Sequence, residues 1–223
     1  PWTSTVIATA AAPAILAGDW ETAETELLEA VDKAVECPTF EGLETCQLLY
    51  LRTLMGDPRA SELLDRYEAI LPIRGQLNSV GSCHMMLFWV ESAVLLGELE
   101  RAAQHYDSVV DLIRRDTVTC YYPMLIERIA GIAAMAGEQY DEAQAHFEAS
   151  LELAKELAFV SELGDTRRWH AMMLLRRRAP GDREMAQGLL REAIAVYERN
   201  GMPKHAVMAQ ELLDQSMGSD QLY

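Results

Sequence analysis

The stretch Gly18-Asp19-Trp20-Glu21-Thr22-Ala23-Glu24-Thr25-Glu26-Leu27-Leu28-Glu29-Ala30 opens with a Gly-acid pair. An Ala follows five residues after the Gly, a large apolar residue four later, and a small residue three after that. The block returns. Gly97-Glu98-Leu99 leads to Ala102, Tyr106 and Val109, and Gly181-Asp182 leads to Ala186, Leu190 and Ala193. Two looser copies stand between them: Gly56-Asp57 with Ala60, Leu64 and Tyr67, one residue short, and Gly137-Glu138 with Ala143, Phe147 and Ser150, one residue long. The anchoring alanines step by 37, 42, 41 and 43 residues. A near-constant period of this size means stacked supersecondary units.

Each Gly is preceded by a segment of helical length with apolar residues on one face, such as Met86, Leu87, Val90, Ala93 and Val94. The Gly suits the left-handed residue that closes a helix, and the acid after it suits the positive N-terminal end of the next. Period-two alternation and Asn-Gly or Asp-Gly hairpin turns are absent, so the unit is a helical hairpin. The Ala after the turn and the small residue seven later share a face, which lets two helices approach closely. The fold class is therefore all-α. Hairpins are expected at about 2–36, 41–70, 78–114, 122–158 and 162–199, within a single domain spanning 1–223. A capping helix is expected at 203–217, with Pro203 at its first position and Gly201 ending the helix before. Pro13 falls inside the first helix, where it should kink or end it.

Gly-Asp-Trp-x-x-Ala-x-x-x-Leu-x-x-Ala and its copies resemble tetratricopeptide repeats over nearly the whole chain. The resemblance implies a right-handed superhelix, a solenoid of five hairpins and a cap. Its long period, and the ending Ala195-Val196-Tyr197-Glu198-Arg199-Asn200-Gly201-Met202-Pro203, are similar to the C-terminal repeat regions of bacterial signal-transduction ATPases of the maltose-regulator type and of cyclase-ATPase fusions. That likeness implies a non-catalytic module of a larger bacterial, cytoplasmic signalling or transcription-regulatory protein. It would bind a protein, a peptide or neighbouring domains of the same chain. Two other readings stay open: a sensor for a sugar or peptide inducer, and the C-terminal regulatory part of a nucleotide cyclase or ATPase. In such repeats the first helix of each hairpin lines a concave groove about ten, six and three residues before the turn Gly. Carried over, this gives Tyr50, Glu91, Glu127 and Arg178 as candidate ligand contacts. The Lys and Asn set with which chaperone-binding repeats clamp a terminal carboxylate is missing.

The chain carries 35 Asp plus Glu against 19 Lys plus Arg, a formal charge of -16, with half of its 223 residues hydrophobic. That apolar half is enough for a core, and the excess negative charge disfavours nucleic acid and anionic membranes as partners. Apolar runs are interrupted before they reach the length that spans a bilayer. Cys37, Cys46, Cys83 and Cys120 lie far apart with no C-x-x-C pair, which suits a reduced cytoplasmic setting. The uncharged start, Pro1 to Gly18, lacks a basic n-region and reads as part of a packing helix in an excised piece of a longer protein. No phosphate loop, H-E-x-x-H, calcium loop or nucleophile elbow is present, and the five histidines are scattered. No catalytic residue, metal ligand or cofactor is expected. The acidic run Asp19 to Glu36 reads as a solvated outer face, and Tyr121, Tyr122, Met85, Met86, Phe88 and Trp89 as core. The most unusual local feature is the cluster Arg167, Arg168, Arg176 and Arg177, which either neutralises nearby acids of this acidic chain or, since guanidinium forks suit carboxylate and phosphate, meets an anionic or acidic partner.

Overall fold

Four of the five repeat turns close on a left-handed glycine: Gly18 (φ 80°), Gly56 (67°), Gly97 (87°) and Gly181 (86°). In the fifth, Gly137 keeps an ordinary φ and Glu138 takes the left-handed conformation at φ 58°. This explains the copy that is one residue long, because Ala143 lies five residues after Glu138 just as Ala23 lies five after Gly18. The turn geometry is otherwise common to four blocks. Gly18, Gly56, Gly97 and Glu138 donate three residues back to Ile15, Thr53, Val94 and Met135, while the next N–H reaches five back to Ala14, Arg52, Ala93 and Ala134. These paired bonds satisfy carbonyls that a helix end leaves open.

The computed structural model describes residues 2–34, 42–76, 78–115, 117–119, 122 and 124–218, with side chains from Val6 onward. Twelve helices run through them: α1 Trp2–Ala17, α2 Trp20–Asp32, α3 Thr45–Leu54, α4 Arg59–Glu68, α5 Val80–Leu95, α6 Leu99–Ala103, α7 Tyr106–Ile113, α8 Ile126–Ala136, α9 Tyr140–Glu156, α10 Val160–Arg177, α11 Asp182–Arg199 and α12 Pro203–Gly218. Among the described residues the only extended pairing is an isolated bridge between Thr119 and Leu125. The architecture is all-helical. The second helix of the hairpin expected at 78–114 is broken at Gln104 and His105 into α6 and α7, and His105 packs edge-on to Trp89 with ring centroids 5.2 Å apart. Pro13 does not end α1, which continues to Ala17 with the proline exposed, so its ring meets solvent rather than a packed neighbour.

Consecutive helices pack side by side, α1 on α2, α3 on α4, α8 on α9 and α10 on α11, while α3, α5, α8 and α10 follow one another as an inner layer. The repeat alanines lie at the seams: Ala23, Ala60, Ala102, Ala143 and Ala186 are all fully buried. Two seams are closer still. A Cβ on Gly131 would sit 2.7 Å from the Phe147 ring, and one on Gly164 would sit 2.6 Å from the Tyr197 ring. The stack also meets itself. α12 touches α1, the Lys204 ammonium lies 5.3 Å from the Trp20 ring centroid, and Gly18 faces the Lys204 stem so closely that a Cβ there would fall 2.7 Å from it. Overpacking these seams should be costly. Gly164→Ala and Gly131→Ala are each expected to destabilise the chain by about 1–3 kcal/mol, read as a lowered midpoint in urea with an unchanged slope.

Candidate functional site

Arg128, on α8, stands between two carboxylates supplied by the helices on either side. It bonds Glu162 of α10 in a forked arrangement, Nε to Oε1 and Oε2 at 3.2 and 3.0 Å and Nη2 to Oε1 at 3.0 Å. Its Nη1 lies 2.9 Å from Oε1 of Glu91 on α5, an ion pair in which the N–H is not aimed for a hydrogen bond. Glu91 and Glu162 are completely buried and Arg128 is 1% exposed. The same Glu91 oxygen accepts a 2.8 Å hydrogen bond from the Trp169 indole N–H, joining α5 directly to α10.

One helical turn past Glu162, α10 presents Asp165 and then Arg168, also buried. Asp165 accepts a 2.7 Å hydrogen bond from the Tyr197 hydroxyl of α11. Arg168 lies 4.0 Å from Asp165, stacks its guanidinium 5.3 Å from the Trp169 ring centroid, and leaves Nε and Nη2 without a hydrogen-bond partner. Glu91 Oε2 and His205 Nδ1 are likewise buried and unpartnered. Such groups cost free energy where they stand, because burial removes water without supplying a replacement. Tyr50 of α3 adjoins the cluster, packed edge-on to Phe88 and Tyr122 at 5.7 and 6.4 Å. The charged interior thus draws on α3, α5, α8, α10, α11 and α12.

Two guanidiniums face three carboxylates here, so one negative charge is uncompensated in a dry setting. Glu162 holds the difference: burial pushes it up to about 7, Arg128 pulls it down, and Asp165 and Glu91 add to the rise. Burial also works to raise Asp165, but the charges of Arg128, His205 and Arg168 and the Tyr197 hydroxyl hold it below the ordinary carboxylate value. Tyr50 is raised well above the usual phenol range by burial, then by Glu91 and Asp165. Burial lowers His205, against the pull of Asp165.

The residues singled out from sequence fare differently. Tyr50 and Glu91 join the cluster, at 2% and 0% exposure, so their positions line an enclosed centre rather than an open groove. Glu127 faces away from it and binds His146 Nδ1 at 2.6 Å, whose Nε2 meets the Tyr106 hydroxyl at 3.1 Å. Arg178 is exposed and left-handed at the end of α10. The four arginines are dispersed. Arg168 points inward, Arg167 bonds Glu192 and the Leu163 carbonyl, Arg177 forks onto Asp182 and reaches Gln144, and Arg176 is exposed. Arg128, Glu162 and Asp165 were not anticipated. The available signal was charged residues at i, i+3 and i+6 on a helix that also carries buried Trp169, Ala171 and Leu174.

In the acidic run of α2, Glu24 is tied to Arg52 and Arg59 while Asp19, Glu21, Glu29 and Asp32 are exposed; Glu36 lies outside the described residues. Tyr122, Met85, Met86, Phe88 and Trp89 are core, and Tyr121, Pro123, Cys37 and Cys120 lie outside the described residues. Among the described residues no group of His, Cys, Asp and Glu is placed to hold a metal ion, and no helix is long and apolar enough to cross a membrane. No protein-family model, curated protein or solved structure matches the chain.

Two outcomes test the cluster's energetics. Arg128→Leu strands Glu91 and Glu162 and is expected to cost about 3–5 kcal/mol in urea unfolding, whereas adding Glu91→Leu and Glu162→Leu should recover most of the loss. The second concerns pH. Glu162 at about 7 in the folded chain stands above its ordinary 4.5, so the folded state holds a proton that the unfolded chain has released. Its contribution is complete below pH 4.5 and lost as pH rises through 7. The buried histidines act in the opposite sense, losing stability as pH falls, but they are common to parent and Glu162→Gln. The parent should therefore lose up to about 3 kcal/mol relative to Glu162→Gln between pH 4.5 and 8, measured by urea unfolding at each pH.

Proposed function

We propose that this chain is a non-catalytic binding and regulatory module, a tetratricopeptide-like right-handed superhelix within a larger bacterial, cytoplasmic signalling or transcription-regulatory protein. It reads a small polar ligand at the charged cluster between its inner helices. The observation that carries this reading is Arg168, 2% exposed and with two guanidinium nitrogens unpartnered, in an interior that also holds Glu162 and Asp165 of its own helix and Glu91 of α5. A stack selected only to fold would gain by filling these positions with apolar side chains, since buried ion clusters rarely stabilise more than their hydrophobic replacements. Strongly perturbed groups gathered at one place are also a mark of functional sites.

The enclosure favours a small ligand over a protein surface, because Tyr50 and Glu91 are buried out of reach of a large partner. Binding rather than catalysis fits the chemistry: the carboxylates are engaged by Arg128, Trp169 and Tyr197, and no activated hydroxyl or thiol stands among them. The assignment to a larger signalling protein rests on the turn spacing and on the Ala195 to Pro203 segment.

Thermal-shift screening of the purified chain against polar metabolites at millimolar concentration is expected to find compounds that raise the melting temperature. Arg168→Gln should abolish the shift while keeping the helical circular-dichroism spectrum. A flat screen against a folded chain defeats the reading.

A further inference from the structure

Two of the unpartnered groups in the interior have opposite character and border the same indole. Arg168 stacks on the Trp169 ring and offers Nε and Nη2 as donors, while Glu91 takes the Trp169 N–H on Oε1 and leaves Oε2 as an acceptor. Those three atoms have no hydrogen-bond partner in the protein, although the Arg168 guanidinium also lies beside the Tyr197 hydroxyl. Arg128 cannot serve Glu91 Oε2, since it is already forked onto Glu162 and faces only Oε1. Asp165 cannot serve Arg168 well, being 4.0 Å away and engaged by Tyr197. A ligand that completes both must present an anion with paired oxygens to one group and a hydrogen-bond donor to the other, across the Trp169 indole they share.

We propose that the interior site takes a free α-amino acid, its carboxylate on Arg168 and its ammonium on Glu91 Oε2, a deepening that rests on the small-ligand reading above. The guanidinium edge matches a carboxylate bidentately, and an ammonium is the donor that a buried carboxylate oxygen binds most strongly. Neutral sugars supply donors but no anion, and simple carboxylates supply an anion but leave Glu91 unanswered. Tyr50, Phe88 and Tyr122, packed edge-on to one another, form an aromatic wall beside the cluster that would discriminate side chains.

The test is calorimetric titration and thermal shift of the unmodified chain with each of the common amino acids, alongside acetate and ethylammonium as half-ligands and a set of sugars and nucleotides. One or a few amino acids are expected to raise the melting temperature by about 5–10 °C at roughly a hundred times their Kd. Each half-ligand should bind at least about tenfold more weakly, and Glu91→Gln should weaken the amino acid roughly 10- to 100-fold. The half-ligand comparison uses only the parent chain, so it decides the matter even if the variant does not fold. Acetate binding as tightly as any amino acid overturns the proposal. A sugar or nucleotide that binds through Arg168 while amino acids do not overturns it too, yet leaves the small-ligand reading intact. Silence across the whole panel sinks both.

Discussion

One guanidinium organises the middle of this molecule. Arg128 reaches forward to Glu162 and back to Glu91, so α8 is pinned simultaneously to the helices on either side. Apolar contacts along these seams are non-directional and would tolerate a helix sliding or rotating by a small amount. A planar fork set between fixed carboxylates does not, and a lysine in its place would offer a point charge without the same geometry. The Trp169 bond to Glu91 closes the triangle by joining α5 to α10, two inner helices on either side of α8. Register among these repeats is thus a matter of hydrogen-bond direction as much as of packing.

Around that centre the two sides of each hairpin follow different rules. Between helices the chain spends alanine and glycine, at Ala23, Ala102, Ala143 and Ala186, and at Gly131 and Gly164 beneath aromatic rings, so backbones come close and dispersion contacts accumulate. Toward the interior it places charge. The overall -16 is distributed accordingly, with residues such as Glu21, Glu29 and Asp32 in water and the inner carboxylates set against Arg128 and Arg168.

How much of this could be read beforehand follows the range of the forces involved. The turns are local, a left-handed residue and two backbone bonds, and the Gly-acid-Ala pattern announced them. Even the irregular copy at Gly137 obeyed the same spacing once Glu138 took the left-handed role. Tyr50 and Glu91 were reachable by counting back from the turn glycine, because that count follows one helix face. The count failed at Glu127 and Arg178. The inward residue of α8 is its neighbour Arg128, and Arg178 has already left the helix in a left-handed conformation. Arg167 and Arg168 are indistinguishable in composition; only helical phase, three residues before buried Ala171, sets Arg168 inward. Which side chain meets which across 34 or 78 residues depends on how the helices stack, and no local pattern encodes it.

The contact between α12 and the first hairpin alters what kind of object a repeat stack is. An open array has terminal units held on one side only, and these fray first, so melting creeps inward. Here Trp20 lies under Lys204 and Gly18 under its stem, so the outermost helices lean on each other. The first and last of the described helices are thus in contact with each other. Their joint is the Lys204 side chain, with its cation on the Trp20 ring and its stem against Gly18, so loosening that one residue would free both outer helices together.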